Sequence, residues 1–208
     1  MNLIKYKSIY LYLLIIIIFT LTFNLQAQDV NWCKLKENNR KIVNNNPHNV
    51  MANFKLSIAM ANTGHVHESY KLFNKLNEIT TEKKFNNIIS PYIKKIEVDD
   101  QNILLLNYAA FYELIKDEYQ NAISYFTKII KLEPENIWIL NYMASCYIEM
   151  EEYDKAEKII KKSQSINDSD FAHLLYGLIH YNNGNYIKSA VEFGKSGELF
   201  SILISEVK

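Results

Sequence analysis

The feature that most constrains this chain is that it repeats itself. Residues 103–136 read ILLLNYAAFYELIKDEYQNAISYFTKIIKLEPEN, and residues 137–169 read IWILNYMASCYIEMEEYDKAEKIIKKSQSINDS. Laid under one another, Asn107-Tyr108 falls on Asn141-Tyr142, Ala110 on Ala144, Tyr119 on Tyr153 and Ala122 on Ala156, all at an offset of 34. A third unit, at an offset of 33, begins at Asp170, with Gly177 at the Ala144 place, Tyr186 at the Tyr153 place, Ser189 at the Ala156 place and Phe193 at the Ile160 place. Self-similarity at a period of about 20–50 residues marks a stacked architecture, because one such unit cannot bury its apolar face alone.

Each unit reads as two helices. In the second, Leu140, Met143, Ala144 and Tyr147 recur at the spacing of one helical face. Glu151-Glu152 interrupts that face, and Ala156, Ile159 and Ile160 begin another. Breaks fall where turn chemistry is dense, at Asn183-Gly184-Asn185 and at Glu133-Pro134-Glu135-Asn136. The small residues Ala110, Ala144 and Gly177 on the first helices, and Ala122, Ala156 and Ser189 on the second, let the paired helices approach closely.

These residues resemble the tetratricopeptide repeat, a 34-residue helix–turn–helix unit with the pattern W-x2-L-G-x2-Y, then A-x3-F, then P. Ala122, Phe126 and Pro134 fit the second helix directly, Tyr147 fits the first-helix tyrosine and Gly177 fits the glycine. Leu106, Leu140 and His173 stand in place of the tryptophan, Glu113 and His180 in place of the tyrosine, and the region of Asp168 lacks the second proline. The resemblance implies an all-α fold, a right-handed solenoid of antiparallel helix pairs.

The units expected are 103–136, 137–169 and 170–202, followed by a tail over 203–208. Upstream, residues 50–83 form a degenerate unit, with Leu56, Ser57 and Met60 on its first helix, Gly64 at its turn, and Ser69 and Phe73 at the A-x3-F places. Residues 28–49 are then a partial unit or a capping helix. Residues 84–102 break the repeat phase as an irregular helical insert, with a helix expected to end before Pro91.

In the resembled family the first helices supply a concave binding wall. Carried over residue by residue, this gives Leu104, Asn107, Phe111, Leu114 and Ile115 in one unit. The next two supply Trp138, Asn141, Ser145, Ile148 and Glu149, then Phe171, Leu174, Leu178, Tyr181 and Asn182. Family members that grip a terminal carboxylate add lysine and arginine to such asparagines, and this wall has none, so a carboxylate clamp is disfavoured. An apolar wall suits an amphipathic helix or extended peptide of a protein partner, with Trp138 and Phe111 as candidate anchors. The competing reading fills the groove from within or with a second copy, since Leu199, Phe200, Ile202, Leu203 and Ile204 form an apolar run where a polar cap is expected. Either occupant implies burial with weak salt dependence.

The N-terminus has a different logic. Lys5 and Lys7 precede an apolar stretch from Ile9 to Phe23, and Asn24-Leu25-Gln26-Ala27-Gln28 follows. That order is the plan of a secretory signal peptide over residues 1–27, cut near Ala27, with an extracytoplasmic mature chain. The alternative is a retained inner-membrane anchor over residues 8–25, which would be the chain's only membrane contact. Against the anchor, the run is shorter than the ~20 residues of a spanning helix. The whole chain of 208 residues has 23 basic and 23 acidic side chains. Loss of Lys5 and Lys7 leaves 21 against 23, a net charge of −2.

Composition excludes several functions. Balanced charge, with Arg40 the sole arginine, leaves no track for nucleic acid. Two cysteines cannot staple a disulfide scaffold; Cys33 and Cys146 are able to pair in an oxidising compartment, but Cys146 reads as a small buried thiol. No phosphate loop, G-x-S-x-G or H-E-x-x-H occurs, so no catalytic residue, cofactor or metal is expected. His65-x-His67 lacks accompanying ligands, and His173 and His180 fall at repeat packing places.

Overall fold

The structure is a computed structural model and describes residues 30–206. The expected signal segment over 1–27 lies outside the described residues. Eleven α-helices and one 3₁₀ turn occur among them, with no strand. They are α1 (Trp32–Asn45), α2 (Val50–Ala61), α3 (Val66–Ile79), α4 (Glu82–Ile93), the 3₁₀ turn (Lys94–Glu97), α5 (Ile103–Ile115) and α6 (Tyr119–Leu132), then α7 (Ile137–Glu149), α8 (Tyr153–Ile166), α9 (Asp170–Asn182), α10 (Tyr186–Lys195) and α11 (Glu198–Glu206). The fold is an all-α helical-repeat solenoid, in which α2/α3, α5/α6, α7/α8 and α9/α10 are packed pairs. No described helix is long and apolar enough to cross a membrane.

The same devices build every pair. First helices start at an asparagine or serine whose side-chain oxygen accepts the backbone N–H three residues on. Asn49 caps α2 in this way at 2.9 Å, Asn102 caps α5 at 3.1 Å, Asn136 caps α7 at 3.1 Å and Ser169 caps α9 at 3.2 Å. Each first helix then ends in one residue of left-handed backbone: Gly64 (φ +79°), Asp117 (+59°), Glu151 (+58°) and Gly184 (+73°). The next N–H reaches back across the turn, from His65 to Met60, Glu118 to Glu113, Glu152 to Tyr147 and Asn185 to His180, at 2.8–3.0 Å.

Contact within the pairs follows the small-residue register. Ser57/Ser69, Ala110/Ala122, Ala144/Ala156 and Gly177/Ser189 are all buried, each pair twelve residues apart. In the two inner pairs alanine meets alanine. In the outer two, the serine hydroxyl donates across the interface, from Ser69 Oγ to the Ser57 carbonyl and from Ser189 Oγ to the Gly177 carbonyl, both at 2.9 Å. The upstream pair therefore has the local construction of the repeats below it, at a different sequence phase.

One expectation needs correction. Pro91 does not end the helix before it: α4 runs through Pro91 to Ile93 and then tightens into the 3₁₀ turn. A proline so near the C-terminal end forfeits only one late hydrogen bond, and its ring is exposed. Cys33 and Cys146 do not pair; Cys33 is exposed on α1, and Cys146 is buried in α7 with its thiol pushed up to about 12 by that burial.

Candidate functional site

The wall predicted from the first helices is largely covered, and the cover is the chain's own α2–α3 hairpin. Asn62, at the end of α2, donates from Nδ2 to Asn107 Oδ1 at 2.9 Å, and Asn107 Nδ2 donates to the Ile103 carbonyl at 2.9 Å. Gly64 lies against Trp138, so closely that a Cβ there would fall 2.6 Å from the indole. Phe73 stacks on Phe111 at 5.4 Å between ring centroids. The ring of Phe111 continues to Tyr142 at 4.9 Å, and Tyr142 to Phe171 at 5.2 Å. One file of aromatic rings thus ties α3 to α5, α7 and α9. Burial pushes the Tyr142 hydroxyl above its ordinary pKa, and the neighbouring Ser69 hydroxyl offsets part of that.

The predicted wall residues accordingly divide. Asn107, Phe111 and Asn141 are fully buried. Asn141 donates to Ser169 Oγ at 3.2 Å, which bolsters the cap of α9. Trp138 is half-buried under Gly64, Leu104 is half-buried, and Ile148 is buried in the core. Tyr181 sits exposed beside Tyr186, at 5.7 Å, away from the groove lining. Leu114, Phe171 and Leu174 border an open space, Leu114 half-buried and the other two buried with the core.

That space is a groove of about 480 Å³ between α3 on one side and α11 on the other. Val66, Tyr70 and Phe73 line it from α3, Tyr142 and Ser145 from α7, and Leu199 and Ile202 from α11. Its polar groups are His67, Asn74 and Asn77 of α3, Asp117 and Tyr119 at the α5–α6 turn, and Glu149 at the end of α7. The Tyr119 hydroxyl donates to Asp117 Oδ1 at 2.9 Å. Burial, that hydrogen bond and the Glu149 charge push Tyr119 up to about 12. The contribution of α3 escapes a first-helix template. Its trace in the sequence is a second face of α3, Val66, Tyr70, Phe73 and Asn77, at helical spacing.

A second polar cluster holds the last unit. His173 takes the place filled by Leu106 and Leu140 in the inner units. Its Nδ1 lies 2.6 Å from Glu192 Oε2 on α10, and its Nε2 lies 2.9 Å from Asp168 Oδ2 in the α8–α9 linker. Two carboxylates facing the two ring nitrogens favour the form in which both nitrogens donate, the imidazolium. Burial lowers the pKa of His173, but its bonds to Glu192 and Asp168 raise it further, leaving it above the ordinary histidine value. The bond to His173 holds Asp168 below its usual value. Burial acts upward on Glu192, but His173 and Lys195 bring it below the ordinary glutamate value. This cluster joins three elements of the fold and lies outside the groove lining. No group of three or more histidine, cysteine, aspartate or glutamate residues placed to hold a metal occurs among the described residues.

The fold and groove define a helical-repeat protein with a partly self-covered wall. Residues 114–186, from the end of α5 to the start of α10, match the family model described as tetratricopeptide repeat, so the match supports a tetratricopeptide-repeat protein over α6–α9. Among solved structures, a crystal structure of MamA protein is similar at 21% identity, covering 81% of this chain and 82% of that one, with a TM-score of 0.49. A tetratricopeptide repeat protein from Parabacteroides merdae ATCC 43184 is similar at 15% identity, with 84% and 77% covered and a TM-score of 0.47. MamA MSR-1 aligns at 14% identity over 82% and 97%, with a TM-score of 0.46. No curated protein matches the chain significantly.

Proposed function

We propose that the chain is a protein–protein interaction scaffold, exported by its N-terminal segment, whose docking site is the groove between α3 and α11. The observation that carries this reading is the open apolar floor of that groove, where Leu114, Phe171 and Leu174 face a volume of about 480 Å³. Volumes of this order suit a few anchoring side chains. Trp138 and Phe111 are engaged within the chain, so the anchoring contacts pass to Leu114, Phe171, Leu174 and the α3 face. Leu114→Lys, at a half-buried position, places a charge on the floor. The expected result is loss of partner capture from native extracts by a variant with unchanged helicity and thermal midpoint. Undiminished capture by the folded variant removes the groove from the reading. Export is read from Lys5, Lys7 and the apolar run to Phe23, and mass measurement of the chain from its native host tests it through the expected cut near Ala27.

A second reading has one specific observation behind it. Tyr186, Ile187 and Val191 of α10 are exposed. They form an apolar stripe at the end of the stack, on the face where α8 carries Asp154 and Lys158. Such a stripe suits self-association. Sedimentation over a range of concentrations separates the two readings, because a monomer at all concentrations removes the second.

A further inference from the structure

Resting on the docking reading above, we infer that the partner inserts a short segment combining apolar side chains with a lysine or arginine, its cation seated between Asp117 and Glu149. The size of the groove sets the length. One turn of helix, about 10–12 Å across with side chains and 5.4 Å in pitch, occupies roughly 400–600 Å³. A groove of about 480 Å³ suits one helical turn or a few extended residues.

Charge sets the kind of segment. The groove lining contains two carboxylates and no lysine or arginine. Elsewhere in the repeats, four acids are matched locally: Glu113 by Lys116, Glu152 by Lys155, Glu157 by Lys161 and Glu192 by Lys195. No described lysine or arginine forms an ion pair with Asp117 or Glu149. Neither has a lysine three or four residues on, since Gln120 and Asn121 follow Asp117 and Glu152 and Tyr153 follow Glu149. Both are exposed at the groove's edge, around the Tyr119 hydroxyl. The backbone fixes Asp117 through its left-handed turn, and the Tyr119 O–H orients its carboxylate, so one acid is held in place before a partner arrives. An apolar floor with a negative edge repels an acidic segment and attracts a basic one.

The test uses two fluorescein-labelled eight-residue peptides, one alternating leucine with lysine and the other leucine with glutamate, read by anisotropy against the full chain. The lysine peptide is expected to bind and the glutamate peptide not to. The double variant Asp117→Asn, Glu149→Gln keeps side-chain shape and the turn, and is expected to weaken lysine-peptide binding about tenfold, as two edge ion pairs of modest strength would. Equal binding of both peptides, abolished by Leu114→Lys, overturns the charge preference but leaves the docking site standing. Binding of neither peptide to the folded chain overturns both. Lysine-peptide binding that the double variant does not alter assigns the cation elsewhere and overturns the proposal. So does concentration-dependent dimerisation that the double variant abolishes, because it gives the groove to a second copy.

Discussion

The two inner units, 103–169, and the last unit, α9 with α10, reach one helix-pair geometry by different chemistry. Inside, alanine meets alanine, leucine fills the position of Leu106 and Leu140, and the turn residue is acidic. At the end of the stack, Gly177 meets Ser189, His173 replaces the leucine, and Gly184 makes the turn. The inner units have neighbours on both sides, so apolar contact suffices to hold them. Among the described residues, the last unit is followed by the nine-residue α11, which packs back by stacking Phe200 on Phe193 at 4.1 Å. With less area to bury, it is tied by directional bonds instead: the Ser189 hydroxyl to the Gly177 carbonyl, and the His173 imidazolium between two carboxylates. Polar ties of this kind contribute about 1–3 kcal/mol when made and cost as much when one side is removed.

The sharpest way to break this comparison is at the phenylalanine shared by both regions. Phe126→Ala in an inner unit empties a fully buried site and is expected to cost about 3–5 kcal/mol. Phe193→Ala, at the half-buried equivalent, is expected to cost distinctly less, and urea unfolding measures both. Gly177→Ala comes next. Its new methyl falls 2.4 Å from the Phe193 ring, which Phe200 pins from the other side, so overpacking costs about 1–3 kcal/mol. A neutral result would show that α11 yields easily and that the last unit is looser than drawn.

The imidazolium gives the comparison a pH axis. A histidine raised on folding stabilises the fold below its unfolded value near 6.5, and that contribution is lost as pH climbs through the raised folded value. Asp168 and Glu192 are depressed, so theirs is present above the unfolded carboxylate range and lost as pH falls through the depressed values. The last unit is therefore tightest in the weakly acidic window between. Between pH 6 and 9 the urea midpoint of the native chain is expected to fall by the equivalent of about 1–2 kcal/mol, discounted because Asp168 is exposed. His173→Leu, which installs the inner-unit residue, is expected to flatten that alkaline slope. An unchanged slope would move the titration to another group.

The smallest expected effects lie at the turns. Glu151 has left-handed backbone that disfavours a side chain, and Glu151→Gly is expected to stabilise by up to about 1 kcal/mol. Gly184→Ala, the converse change in the last unit, is expected to destabilise by a similar amount. Differential scanning calorimetry of the pair checks whether the two turns are equivalent.

The repeat register was readable in the sequence because it rests on local pairs. Ala110/Ala122, Ala144/Ala156, Gly177/Ser189 and even Ser57/Ser69 keep one spacing, and Gly64 and Gly184 mark their own turns. What fills the wall was not readable. Asn107, Phe111 and Trp138 are covered by residues that precede them by 38 to 74 positions, across an insert that breaks the phase. No periodicity within a unit reports such a contact. Asp117 was hidden for a related reason: a turn residue belongs to no helical face, and only the placement of α3 and α11 makes it part of a groove. Leu114, Phe171 and Leu174 were legible because a first-helix template places them, and the groove borders all three, Leu114 half-buried and the other two within the core.

The hairpin lying across the wall also changes how the chain should acquire its structure. A plain solenoid folds almost as a row of dominoes, each unit touching only the next. Here Asn62 reaches Asn107, Gly64 reaches Trp138 and Ser69 reaches Tyr142, so the upstream pair bonds to one unit and leans on the one after it. Those contacts close long loops before they return any energy, and such closures slow folding. The same contacts forbid the units from fraying one at a time. The expected consequence is a chain that folds more slowly than a bare array of the same length and melts in a single sharper transition.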